Sequence, residues 1–144
     1  MDKTVIFDLD GTLALIDKRR DLSMVNDKRD WDVFFDPNNI QLDDPNTPVI
    51  TMAQLLHSQG YKIVILSGRS AITQDATIDW LNQHNVPYDD LHMRPTDRKS
   101  HFMPDNMLKQ NWVSSSSSIK EACTKVNIHK HHCYSSCKNW HDCY

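Results

Sequence analysis

The run Val5-Ile6-Phe7-Asp8-Leu9-Asp10-Gly11-Thr12 constrains this chain more than any other segment. Its apolar start reads as a strand covered on both faces, the kind found inside parallel sheets. Two aspartates separated by one residue stand where that strand runs out, and Gly11 lets the backbone turn sharply just after them. Two carboxylates this close repel one another unless something cationic sits between them. A hard divalent ion with oxygen ligands is the usual solution. The octet therefore predicts a sheet with an acidic mouth suited to a cation.

The next hundred residues supply the rest of such a fold. Tyr61 to Leu66 is a second apolar strand, and Ser67-Gly68-Arg69 is expected to turn off its end. Leu91 to Met93 gives a weak third strand ending at Arg94-Pro95. Thr47-Pro48 resembles an N-cap followed by proline in the first turn, opening a helix that runs through Ile50, Ala53, Leu55 and Leu56 to a stop at Gly60. A second helix covers residues 71–84, with Ile72, Ala76, Trp80 and Leu81 as its expected inner face. Pro104-Asp105 opens a third, carrying Met107, Leu108 and Trp112. Strands alternating with helices predict an α/β fold with a parallel sheet and right-handed crossovers. Ligands of such sheets bind at the carboxyl ends of the strands, where Asp8, Asp10, Ser67 and Arg69 all fall. Residues 13–46 are polar with helical patches, among them a short amphipathic helix from Asp30 stopped by Pro37.

Composition divides the chain near residue 113. All four cysteines and four of the eight histidines lie beyond that point, after a Ser114–Ser118 run that reads as a flexible linker. We expect a folded body over 1–113 and an irregular, poorly ordered tail over 114–144. Cys133-x3-Cys137 and the nearby histidines are zinc-ligand types, but their spacing matches no established zinc site. The net charge of −3 argues against bulk electrostatic binding to nucleic acid and leaves room only for a local basic patch. No apolar run is long enough to cross a bilayer, and Met1-Asp2-Lys3 does not begin a signal peptide, so a cytoplasmic protein without a membrane partner is expected. There is no P-loop, hence no encoded kinase activity. Oligomeric state is not legible.

Phe7-Asp8-Leu9-Asp10-Gly11-Thr12, then Leu66-Ser67-Gly68-Arg69, then a lysine on a later helix, resembles the haloacid dehalogenase (HAD) superfamily of phosphohydrolases. Within it, the spacing of the Arg69 motif and the Asp30-Trp31…Phe34-Phe35 segment resemble the phosphatase domain of phage-type polynucleotide kinase/3′-phosphatases, over residues 3–113. The resemblance implies a three-layer, Rossmann-like parallel sheet with a small cap insertion at 14–46. It also implies Mg²⁺-dependent hydrolysis of a phosphomonoester, either a phosphorylated small molecule or a nucleic-acid end. In that scheme Asp8 attacks phosphorus and becomes an aspartyl-phosphate. Asp10 protonates the leaving oxygen and then deprotonates water. The Asp8 carboxylate and the Asp10 carbonyl hold Mg²⁺. Ser67, the Gly68 amide and Thr12 bind phosphoryl oxygens, Arg69 grips a substrate phosphate, and Lys109, with Lys99 as the alternative, offsets the intermediate's charge.

Simpler readings stand beside these. Arg20, Lys28 and Arg29 read as a solvated face sooner than as substrate contacts, as does Arg19. Trp31, Phe34 and Phe35 read as cap core sooner than as a base-stacking platform. The family's fourth motif, an acidic pair ending a further strand, is not found after Trp112. That departure implies weaker metal holding and an open apolar edge along residues 3–8. It keeps a second function open: a truncated, catalytically impaired domain that binds phosphorylated ligands or a protein partner.

Overall fold

In the computed structural model, which describes residues 3–115, the apolar run forms strand β1 (Thr4–Asp8). A turn anchored by three amides converging on the Leu9 carbonyl follows it. The chain then makes an excursion: β2 (Ala14–Leu15), helix α1 (Asp17–Leu22), β3 (Met24–Val25), β4 (Lys28–Arg29), helix α2 (Trp31–Phe34), a 3-10 helix at Pro37–Leu42, and β5 (Asp44–Pro45). The excursion closes on itself, because β5 pairs antiparallel with β2. Asp30 is the cap of α2 and not its first residue, accepting from the amides of Asp32 and Val33. Helix α2 ends at Phe34, short of Pro37, which opens the 3-10 helix at its first position, where its missing N–H costs nothing.

Helix α3 (Thr47–Ser58) leads to β6 (Lys62–Ser70). A 3-10 turn at Ala71–Thr73 and helix α4 (Gln74–Gln83) lead on to β7 (Asp90–Arg94) and the short α5 (Arg98–His101). The three long strands form one parallel sheet in the order β1-β6-β7. Among the described residues β1 is an edge strand, as its sequence context predicts. The α/β fold with a parallel sheet and flanking helices is thus the one the alternation implies. The chain divides between Met103 and Pro104 into two compact units, and helix α6 (Asp105–Ser115) opens the second. Ser114 and Ser115, read from sequence as linker, continue α6; the rest of the serine run and the Cys/His tail lie outside the described residues. No described helix is long and apolar enough to cross a membrane.

The core of the first unit lies around β6, whose Ile63, Val64 and Ile65 are fully buried. Phe7, Leu9, Leu13, Trp80 and Leu81 pack in the same cluster as Ile63 and Ile65. Two expectations are corrected here. Ser67-Gly68-Arg69 does not turn away: β6 runs on to Ser70, and pairing with β7 slips between Ser67 and Ser70 in a bulge. Ile72 is not on the inner face; it is 67% exposed, and the face is Thr73, Thr77, Trp80 and Leu81. The threonines win those places because their hydroxyls have buried partners, the Ser70 carbonyl and the Arg69 guanidinium.

Candidate active site

The site grows from the carboxyl ends of β1 and β6. In the parallel register Asp8 stands beside Leu66, one residue before Ser67. At ordinary strand spacing and rise the Cα atoms of Asp8 and Ser67 are then about 6 Å apart. Asp10 follows in the turn, where Gly11 takes the left-handed conformation (φ +79°) and donates its amide to the Ala14 carbonyl at 2.8 Å. That bond fixes the plane of the Asp10–Gly11 peptide and so the direction of the Asp10 carbonyl.

The side chain of Asp10 points into a cluster of four charges. Arg69 Nε donates to Asp10 Oδ1 at 2.7 Å, and Arg19 Nη2 donates to the same oxygen at 3.0 Å. Both arginines also hold Asp43. Arg19 Nε reaches its Oδ1 at 2.8 Å and Nη2 its Oδ2 at 3.0 Å, while Arg69 Nη2 shares Oδ2 at 2.5 Å. The remaining nitrogen of each is bonded as well: Arg19 Nη1 donates to the Phe34 carbonyl at 3.0 Å, and Arg69 Nη1 to the Thr77 hydroxyl at 3.2 Å. Phe34 covers the Arg19 guanidinium at 4.3 Å, and Trp80 Nε1 donates to the Asp43 carbonyl at 2.9 Å. The side chains of Arg19, Arg69 and Asp43 are 0% exposed and that of Asp10 is 12% exposed. Two cations and two anions balance, which is what makes so deep a burial of charge tolerable.

The electrostatics of the two acids differ. Burial alone would raise Asp10, but the charges and hydrogen bonds of Arg69 and Arg19 outweigh it and hold that carboxyl below its ordinary value. For Asp43 burial prevails over the same partners and pushes the carboxyl up, so on acidification Asp43 takes a proton before Asp10 does. Asp10 and Asp43 together overcome the burial of Arg19 and raise its value, so it stays charged.

The residues expected to act together are therefore partly assembled. Asp10 and Arg69 touch, and Asp8 and Ser67 stand on adjoining strand ends. Ser67 is buried, its hydroxyl accepting the Arg69 amide at 3.2 Å. Thr12 is half-buried in the same turn, its carbonyl bound by the Asn46 side chain at 2.8 Å. Arg69 is expected to grip a substrate phosphate; its fork is instead buried, with each nitrogen bonded to Asp10, Asp43 or Thr77. Lys109 lies on α6 in the second unit, paired with Asp105 at 2.9 Å. Asp43 has no place among the sequence-based candidates, and Arg19 reads from sequence as a solvated cation sooner than as a substrate contact. Asp43 lies among many aspartates, and the one signal available was its place just before the return strand β5. Of the cap aromatics Phe34 is core, as expected, whereas Trp31 stacks on Phe35 and stays 42% exposed. Among the described residues no group of three or more His, Cys, Asp or Glu side chains is arranged to hold a metal ion.

An aspartate pair at the mouth of a parallel sheet, tied to a Ser-Gly-Arg segment on the next strand, defines a phosphatase-type α/β site of the HAD class. Residues 2–120 match the model of the polynucleotide kinase PNKP phosphatase domain, and the chain belongs to that HAD family. Similar solved structures include a chain of the Pnkp1/Rnl/Hen1 complex, at 30% identity and TM-score 0.61, covering 81% of this chain and 34% of that one. A second structure, of the Pnkp1/Rnl/Hen1 RNA repair complex, is 31% identical with TM-score 0.62 and covers 81% and 32%. The chain thus spans about a third of the length of those chains. No curated protein sequence matches it.

Proposed function

We propose that the chain is a Mg²⁺-dependent phosphomonoester hydrolase that removes 3′-phosphates from nucleic-acid ends through an aspartyl-phosphate on Asp8. The observation that carries the reading is the direct bond between Asp10 and Arg69, residues of two separate sequence motifs brought together at the strand ends. Asp8, on the end of β1 beside that pair, is the nucleophile: its carboxylate oxygen bonds to phosphorus as the bond to the leaving oxygen breaks.

Asp10 manages the proton. It rests ionised, the form that takes a proton from water when the intermediate is hydrolysed. In the first half it gives a proton to the leaving oxygen. That proton comes from the substrate's own phosphoryl hydroxyl, which the monoanion fraction of a monoester with a second pKa of about 6 still carries near neutral pH. Arg69 and Arg19 act through Asp10: their shared hold on Oδ1 fixes its rotamer and charge. This reading moves Arg69 from gripping substrate to orienting the acid–base group.

The oxygen donors suit a hard cation. Asp10 Oδ1 accepts from two guanidiniums and Oδ2 is the oxygen that handles the proton, so the main-chain carbonyl serves as that residue's ligand beside the Asp8 carboxylate. Mg²⁺ tolerates so few protein ligands because it keeps several waters, and when bound it screens the phosphate's charge from the approaching carboxylate. The Ser67 hydroxyl, the Gly68 amide and Thr12 receive the phosphoryl oxygens. Residues 14–46 form the cap over this site.

The test is turnover of a 3′-phosphorylated oligonucleotide and of an aryl phosphate, with and without Mg²⁺, beside Asp8→Asn. Metal-dependent release of phosphate from both, abolished in the variant, is expected. Phosphate release that persists in the variant removes the reading.

A further inference from the structure

Arg94 ends β7 and is buried, yet no part of the reading above uses it. Its Nε donates to the Gly68 carbonyl at 3.0 Å, at the bulge where β6 slips against β7. Its Nη1 donates to the carbonyls of Ser100 and Met103, which close the α5 segment. The Gly68 carbonyl belongs to the Gly68–Arg69 peptide, and the N–H of that same peptide donates to Ser67 Oγ at 3.2 Å. One peptide plane is therefore pinned from both sides: Arg94 holds its oxygen and Ser67 receives its hydrogen.

The consequence falls on the serine. A hydroxyl has one hydrogen to give. Ser67 Oγ spends acceptor capacity on the Arg69 amide, and among the described residues nothing takes its own hydrogen. The incoming amide restricts where that hydrogen can point. A cationic donor at one end of a peptide also polarises it, which strengthens the bond at the other end.

We propose that Arg94 is a positioning residue for oxyanion binding: by locking the Gly68–Arg69 peptide it aims the Ser67 hydroxyl hydrogen at a phosphoryl oxygen. The inference rests on the reading of Ser67 as a phosphate ligand. It adds a charged residue from a third strand, outside both motifs, that sets the geometry of that ligand. A purely structural Arg94 would stitch β7 to the α5 segment and leave the serine's affinity alone.

A double-substitution cycle on the full chain separates the two. Orthovanadate, a tetrahedral oxyanion like phosphate, is titrated by calorimetry into the parent, R94Q, S67A and the double variant, with a thermal melt of each. R94Q and S67A are each expected to weaken binding about tenfold, the size of one hydrogen bond to a charged group. The double variant is expected to be no weaker than S67A. Two losses that multiply to about a hundredfold, or R94Q binding as tightly as the parent, overturn the proposal. R94K covers the case in which R94Q does not fold. It keeps one donor for the Gly68 carbonyl and gives up the fork, so affinity should recover while melting temperature does not. Affinity and melting temperature moving in step across these variants also overturn it. The outcomes distinguish the two levels of the account. A parent that hydrolyses phosphoesters but shows additive losses sinks this inference alone. A parent that binds vanadate through Ser67 yet hydrolyses nothing sinks the phosphatase reading alone.

Discussion

The parallel sheet and the 14–45 excursion share one apolar core, but the excursion is fastened in addition by buried charge. Strand β6 has a neighbour on each side and a run of fully buried aliphatic residues. Its stability comes from ladder hydrogen bonds and apolar area, terms spread over many residues. The excursion has two-residue strands, the six-residue α1, a one-turn α2 and a short 3-10 helix. It is fastened to the sheet by Arg19 and Asp43, through Asp10 and Arg69, beside the apolar packing of Ala14, Ile16, Phe34 and Ile40 in the shared core. Apolar packing is diffuse and forgiving, whereas a buried charge cluster is concentrated and fails when one member is removed. The lesson is that the fastening and the acid–base site are the same atoms. Closing the excursion over the strand ends and setting the charge of Asp10 are one structural event.

The sharpest way to break that contrast is Asp43→Asn. It leaves two buried guanidiniums short of a counter-charge and should cost about 3–5 kcal/mol. Ile65→Val, a deletion in the middle of β6, should cost only about 0.5–1.5 kcal/mol. Urea denaturation of the two variants compares them directly, and equal losses would mean the excursion is not held by charge. Next in size is Gly11→Ala. Space is open around that position, so the cost is the left-handed backbone alone, about 1–2 kcal/mol by the same measurement.

The electrostatic half is sharpened by carboxyl NMR in metal-free buffer. Asp10 should titrate below the ordinary 3.8 in the parent and above it in Arg69→Gln, where burial meets weaker opposition. The sign for stability follows. A carboxyl whose folded value is depressed contributes fully above its unfolded value, and that contribution is lost as the pH falls through the folded value. The smallest effect belongs to Lys18→Ala. Its partner Asp44 and the lysine itself are both more than half exposed, so the change should stay under about 0.5 kcal/mol.

Much of this was legible in the sequence, for identifiable reasons. Apolar runs ending in Asp8 and Leu66 announce buried parallel strands, and the helix ends at Pro48 and Gly60 are chemically marked. The register that sets Asp8 beside Leu66 comes from the structure alone. The charge cluster was not legible. Arg19 and Asp43 join across 24 residues of an excursion whose elements are too short to show a period. Nothing in a string of letters distinguishes a buried arginine from a solvated one when the partner is one aspartate among many. Ile72 was misplaced for a related reason: apolar periodicity assigns faces by hydrophobicity, while Thr73 and Thr77 took the inner face by hydrogen bonding.

Covalent trapping tests the central claim most directly. The chain is mixed with a 3′-phosphorylated oligonucleotide carrying radiolabelled phosphate, quenched in acid during turnover, and assayed for protein-bound label and for its release by hydroxylamine. The account predicts hydroxylamine-labile label on Asp8 in the parent and none in Asp8→Asn. Label on another residue, or steady release of phosphate by Asp8→Asn, would contradict it.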